Sequence, residues 1–126
     1  MIHIHYHRGG SRHHIHITGH AGYAPAGSDI VCAGVSALSF ALLGHLRQTG
    51  TAAEAACRKG ELTLRCDRYD ETDVAFDMAL TGYQLIAKTY PQYVEVDIMP
   101  HQEADTRKGA GKEHEQHASQ HSGAVL

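Results

Sequence analysis

The chain of 126 residues carries 11 basic and 14 acidic side chains, a formal charge of −3, and is 42% hydrophobic with no tryptophan. That leaves room for one compact domain and a tail, with too little positive charge for direct nucleic-acid binding and enough apolar residues for a core. Three irregularly spaced cysteines do not form a disulfide framework. No run is expected to reach the roughly 18 apolar residues of a membrane helix, and MIHIHYHRGG lacks a signal-peptide layout, so the reading is a cytoplasmic chain without a membrane partner.

In chain order, Ile2, Ile4 and Tyr6 alternate with His3, His5 and His7, which predicts a half-buried strand. Arg8-Gly9-Gly10-Ser11 reads as a tight turn, and Arg12 to Thr18 alternates again with Ile15 and Ile17 inward. With Gly9-Gly10 as a two-residue loop, His5 would face His14 and His3 would face His16. Ser28-Asp29 offers a helix cap, and Val31, Val35, Leu38, Leu42 and Leu46 recur at helical spacing as far as Gly50. Leu62, Leu64 and Cys66 predict a third strand, and Val74, Phe76 and Met78 a fourth. Ala79, Tyr83, Ile86 and Tyr90 mark a second helix closed by Pro91, and Val94, Val96 and Ile98 a last strand.

The expectation is an α+β two-layer sandwich in the order β-β-α-β-β-α-β, a mixed sheet with both helices on one face. Residues 1–100 form the domain, and 101–126 read as a His-rich, disordered polar tail. The tail's His114, His117 and His121 have helical-face spacing but no apolar face to order them. His3, His5, His7, His14 and His16 share one strand face. They could bind an imidazole-loving metal, but a solvated face is the preferred reading, so no metal or cofactor is assigned.

The chemistry concentrates in HITGHAGYAPAGSDIVCAGVSAL, residues 16–38. Cys32 falls in the first turn of the predicted helix, where unpaired N–H groups and the helix dipole favour a thiolate. The backbone N–H groups of Cys32 and Ala33 could also hold an oxyanion. His20, at a strand exit, is the nearest base. The bland alternative is a small core thiol. Asp29 is either an N-cap bonded to the amide of Cys32 or an orienting partner for His20, and Ser36 either a supporting residue or one bonding back within its helix. Tyr23 and Pro25 either shape a substrate pocket or stiffen the loop. Gly19, Gly22 and Gly27 make that loop a candidate flap. Cys57 and Cys66 read as structural.

Gly19-His20-Ala21-Gly22, the loop to Gly27, Asp29-Ile30-Val31-Cys32-Ala33 and Ser36 closely resemble the ribosomal-processing cysteine protease family (Prp). The resemblance implies Cys32 as nucleophile, His20 as general base, and Asp29 and Ser36 in support. It also implies a homodimer that removes the short N-terminal extension of a ribosomal large-subunit protein, cutting after an aromatic residue. The alternatives are a non-catalytic ribosome-associated assembly protein of the same fold and a His-rich metal-binding protein.

Overall fold

The structure is a computed structural model describing residues 1–99; the expected tail at 101–126 lies outside the described residues. The elements are β1 (Ile2–Arg8), β2 (Arg12–Thr18), α1 (Ile30–Gln48), β3 (Ala53–Arg58), β4 (Glu61–Asp67), α2 (Asp70–Thr89) and β5 (Val94–Met99). They build one five-stranded sheet in the order β3-β4-β2-β1-β5. β5 runs parallel to β1, and the other pairs are antiparallel. The α+β order and the mixed sheet are those read from the sequence.

The alternating strands place Ile2, Ile4, Tyr6, Ile15, Ile17, Leu62, Leu64 and Cys66 on one sheet face. These join Val31, Val35, Leu42 and Leu46 of α1 and Phe76, Ala79, Leu80 and Tyr83 of α2 in a single buried cluster. Both helices therefore cover the same face, and burial of this apolar surface drives the layer together.

Two strand assignments need correction. Residues 74–78 are not a strand but the second turn of α2. Phe76 is 0% exposed, whereas Val74 and Met78 are 67% and 71% exposed, so the apparent alternation is accidental. The buried stripe Thr72, Ala75, Phe76, Ala79, Leu80, Tyr83 has helical period. Thr72 starts the helix: its Oγ1 accepts the Tyr69 N–H at 2.8 Å, and Asp70, Glu71 and Asp73 load the first turn with negative charge. The true β3, AEAACR, lacks large apolar residues and is almost wholly exposed, as an edge strand can be.

The hairpin register also differs. Ser11 joins Gly9 and Gly10 in the turn, closed by the Gly9 N–H on the Arg12 carbonyl at 2.9 Å. His5 therefore faces His16, His7 faces His14, and His3 faces Thr18. A shift of two residues keeps every side chain on its face, so the histidine face survives the correction. Acids line it: His3 pairs with Glu95 at 3.1 Å, His5 with Asp97 at 3.4 Å and His16 with Glu61 at 2.9 Å. Among the described residues no group of three or more His, Cys, Asp or Glu is placed to hold a metal ion.

One more expectation is amended. α1 is long and apolar enough, with mean hydropathy 1.6, to cross a membrane by length and composition alone. Here that apolar content packs inward through Val31, Val35, Leu42, Leu43 and Leu46, leaving Ile30 and Phe40 exposed.

At the start of β2 lies a buried polar network absent from the sequence reading. His13 is fully buried and stacked on Phe76, ring centroids 4.1 Å apart. Arg8 Nε donates to Tyr6 Oη at 2.6 Å, which leaves the phenol proton for His13 Nδ1, also at 2.6 Å. His13 Nε2 then carries its proton toward Asp73 Oδ1 at 2.8 Å, though off the line of a good hydrogen bond. Asp73 is gripped by the Arg68 fork at 3.1 and 2.8 Å.

Candidate active site

β2 ends at Thr18, and Gly19 makes the exit possible. Its φ is +94°, and a side chain there would collide with the Met1 carbonyl oxygen. Its N–H donates to the Gly60 carbonyl at 2.9 Å, tying the exit to the β3–β4 turn. The next residue, His20, lays its imidazole over Gly60: a Cβ on Gly60 would stand 3.0 Å from His20 Nε2. Gly60 itself has φ +75°, a conformation suited to glycine in the turn Lys59-Gly60. Sequence reasoning missed Gly60, although a Lys-Gly pair before an alternating run is a turn signal.

Asp29 organises the other side. Its Oδ1 accepts the N–H groups of Val31 and Cys32 at 3.0 and 2.9 Å, capping α1. Its Oδ2 accepts those of Tyr23 and Ala24 at 2.9 and 3.2 Å, folding the loop back onto the helix start. These four N–H groups, that of Cys32 foremost, hold the Asp29 carboxyl below the usual carboxylate range. Both oxygens are thus committed to backbone, and of the two roles left open by the sequence the structure displays the cap.

The backbone donors expected for an oxyanion are engaged as well. The Cys32 N–H goes to Asp29 Oδ1, and the Ala33 N–H to the Asp29 carbonyl at 3.0 Å. The N–H that points at sulfur belongs to Ala21, 3.3 Å from Cys32 Sγ. Ala21 is itself buried, so that amide is held in place from behind.

Cys32 and His20 open onto one cavity of about 270 Å³. Gly19, Ser36 and Phe40 line it with them, Ser36 one turn beyond Cys32, and Cys57, Arg58, Gly60 and Glu61 enclose it from β3 and β4. Ile17, Val35 and Leu62 give it an apolar floor. Among the described residues no hydrogen bond joins the Cys32 sulfur to the His20 ring. Glu61 at the rim accepts from His16 Nε2 at 2.9 Å and Arg58 Nε at 3.0 Å, which holds its carboxyl below the usual range. Beneath the site, Ser39 Oγ donates to the Val35 carbonyl and meets Tyr83 Oη, both at 2.7 Å.

Gly22, Tyr23, Pro25 and Gly27 do not line this cavity. Tyr23 instead sets its ring edge-on against Tyr90 and Tyr93, with centroids 5.5 and 5.2 Å apart. Ser28 closes the loop's far turn on the Pro25 carbonyl.

A half-buried thiol in the first turn of a helix, sharing a cavity with an exposed imidazole, has the parts of a thiol peptidase. The chain belongs to the Prp family: the family model described as cysteine protease Prp matches residues 1–95. It is a cysteine protease of that family. The fold is that of the essential ribosomal processing protease Prp from S. aureus in complex with a covalently linked product peptide, at TM-score 0.72 and 22% identity over 78% of this chain and 99% of that one. The same S. aureus protease with a substrate peptide gives TM-score 0.66 at 20% identity over 78% and 99% of the two chains. SMU.848 from Streptococcus mutans gives TM-score 0.62 at 28% identity, covering 79% of this chain and 94% of that one. No curated protein matches the chain by sequence.

Proposed function

We propose that the chain removes the N-terminal extension of a ribosomal large-subunit protein, with Cys32 as nucleophile and His20 as general base and acid. The observation that carries this reading is the cavity shared by Cys32 and His20 in a Prp-family chain. The description of the S. aureus relative as a ribosomal processing protease supports the substrate class.

In the first step the imidazole of His20 takes the Cys32 proton, and the thiolate attacks the scissile carbonyl carbon. The Ala21 N–H, already directed at the sulfur, donates to the developing oxyanion. Collapse breaks the C–N bond, and His20 returns the proton to the leaving amine. Water, deprotonated by His20, then hydrolyses the thioester and frees the thiol. The apolar floor of Ile17, Val35 and Leu62 suits the aromatic side chain that precedes the cut. Asp29 acts through the backbone, fixing the loop and helix that carry the two groups. Ser36 borders the peptide's path.

The protein acts in the cytoplasm as a homodimer. Exposed Ile30, Phe40, Val74 and Met78 on the two helices support an apolar contact with a second copy. Incubating the chain with a peptide carrying a ribosomal-protein extension, read by mass spectrometry, tests the activity. A single cut after an aromatic residue, absent in Cys32→Ser, is the expected result; an intact peptide overturns it.

A further inference from the structure

The sequence reading gave Cys57 a structural role, but the structure puts it elsewhere. Cys57 is an exposed free thiol, and it lines the same cavity as Cys32, itself free and half-buried. Register explains the placement. Cys57 pairs with Leu62, a buried residue on the helix-covered side of the sheet, so the two side chains share that face. β3 follows α1 and ends at the cavity that opens beside the first turns of α1. Two thiols from distant parts of the sequence therefore line one opening. The third, Cys66, is 0% exposed and takes no part in the cavity.

We propose that Cys57 is a resolving thiol for Cys32, so that hydrogen peroxide converts the pair into a reversible disulfide. The inference rests on the reading of Cys32 as the reactive nucleophile. The Cys32 thiolate attacks a peroxide oxygen, the O–O bond breaks, and Cys32 becomes a sulfenic acid while the other oxygen leaves as water. The Cys57 thiolate then attacks the Cys32 sulfur, the S–O bond breaks, and hydroxide departs as a second water once protonated. Overall the two thiols give up two electrons and two protons, and one hydrogen peroxide becomes two waters. A disulfide needs Cα atoms within about 7 Å. β3 is hydrogen-bonded on one side only, so it can move toward α1 without breaking a second ladder. The bond blocks the nucleophile and spares it from irreversible sulfinic acid.

The test oxidises the full chain with about three equivalents of hydrogen peroxide, enough to carry an unprotected thiol to sulfinic acid, blocks remaining thiols by alkylation and maps a non-reduced digest by mass spectrometry. Peptidase activity is read before oxidation, after it and after dithiothreitol. The expected result is a linked Cys32–Cys57 peptide within one chain, with activity lost and then restored to within about twofold. In Cys57→Ser, Cys32 should advance to sulfinic acid, and reductant should restore about tenfold less of that variant's own starting activity. Sulfinic acid at Cys32 beside alkylated Cys57 in the wild type overturns the proposal, as does a disulfide joining two chains. The cross-link is read without substrate, which separates the two ideas. Cross-linking by a chain that leaves the ribosomal-protein peptide intact supports the pair and removes the proposed substrate; cutting without cross-linking does the reverse.

Discussion

The two ends of β2 each present a histidine, and the two are held in opposite ways. His13, at the start, is 0% exposed, packed on Phe76 and enclosed by Tyr6, Asp73 and Arg8. His20, just past the end, is exposed and rests over the bare α-carbon of Gly60 at the cavity mouth. Burial, reinforced by the charge of Arg8, pushes His13 down to about 4, so it stays neutral at physiological pH and does not exchange protons with a substrate. A group that must take up and return a proton needs access and freedom of position. A group that ties a hairpin to a helix needs neither. In the proposed mechanism the same side chain serves catalysis at one end and architecture at the other, and the surroundings decide which.

The largest expected effect breaks the proposed catalytic end alone. Cys32→Ser and His20→Ala should each lower kcat/KM by about a thousandfold or more. Neither side chain belongs to the fully buried core, so thermal unfolding should shift by only a few degrees. Wild-type-like turnover in either purified variant would remove the pair from the mechanism.

The converse substitution, His13→Gln, should leave the chemistry in place and strike the fold. It strands the Tyr6 hydroxyl and loosens the hold on Asp73, at a cost of about 2–3 kcal/mol. It should also alter the pH dependence. His13 has its ordinary value of 6.5 when unfolded and about 4 when folded, so the unfolded chain binds the extra proton first. The stability is fully present above the unfolded value and falls as pH drops from there toward 4, by about 1.4 kcal/mol per unit. Asp73 adds to this at the acid end. Burial tends to raise its carboxyl, but the Arg68 fork and the nearby cations outweigh that and hold it low. Denaturant titrations between pH 7 and 4.5 should show the wild type losing stability more steeply than His13→Gln. Parallel slopes would mean His13 titrates as if exposed.

Gly60→Ala tests the seat of the His20 imidazole, the proposed base, and should cost less. The added methyl at 3.0 Å from His20 Nε2 forces the ring aside, and the positive φ penalises any side chain. Turnover should fall roughly ten- to a hundredfold, with a stability loss of about 1 kcal/mol. Unchanged turnover with the stability loss alone would show that His20 does not work from this position.

The same contrast explains what was legible in the sequence. Cys32, His20 and Asp29 lie within one contiguous loop-and-helix segment, where capping and helix-start rules speak directly to chemistry. The opposite wall, Cys57, Arg58, Gly60 and Glu61, arrives through sheet pairing and cannot be placed before β3 is known. β3 stayed hidden because a small-residue edge strand has no apolar alternation to display. Val74, Phe76 and Met78 misled for the opposite reason, showing period 2 where only Phe76 is buried. His13 did leave a trace, since it has the parity of Ile15 and Ile17. Parity alone does not say that a histidine is buried, and His13 is left unnamed by the reading of the sequence.

The smallest effect concerns the loop between His20 and Cys32, read from its glycines as a flap. In this structure it is fastened at three points: the Asp29 carboxylate on the Tyr23 and Ala24 amides, Ser28 on Pro25, and the Tyr23 ring against Tyr90 and Tyr93. Only the last fastening reaches across to α2 and the approach to β5. Tyr23 is 41% exposed, so removing its ring gives up two edge-on aromatic contacts without opening the core. Tyr23→Ala should therefore lower stability by about 1 kcal/mol. If Asp29 alone fixes the geometry of the pair, kcat/KM should fall by no more than about threefold, because the carboxylate still holds the loop to the helix start. Steady-state kinetics on Tyr23→Ala beside Asp29→Asn make the comparison direct. The Asp29 variant loses the shared anchor and should lose roughly ten- to a hundredfold in turnover. A Tyr23→Ala loss as large as that of Asp29→Asn would place control of the site in the aromatic pin, and the loop would then act as a part that must dock before the thiol can react.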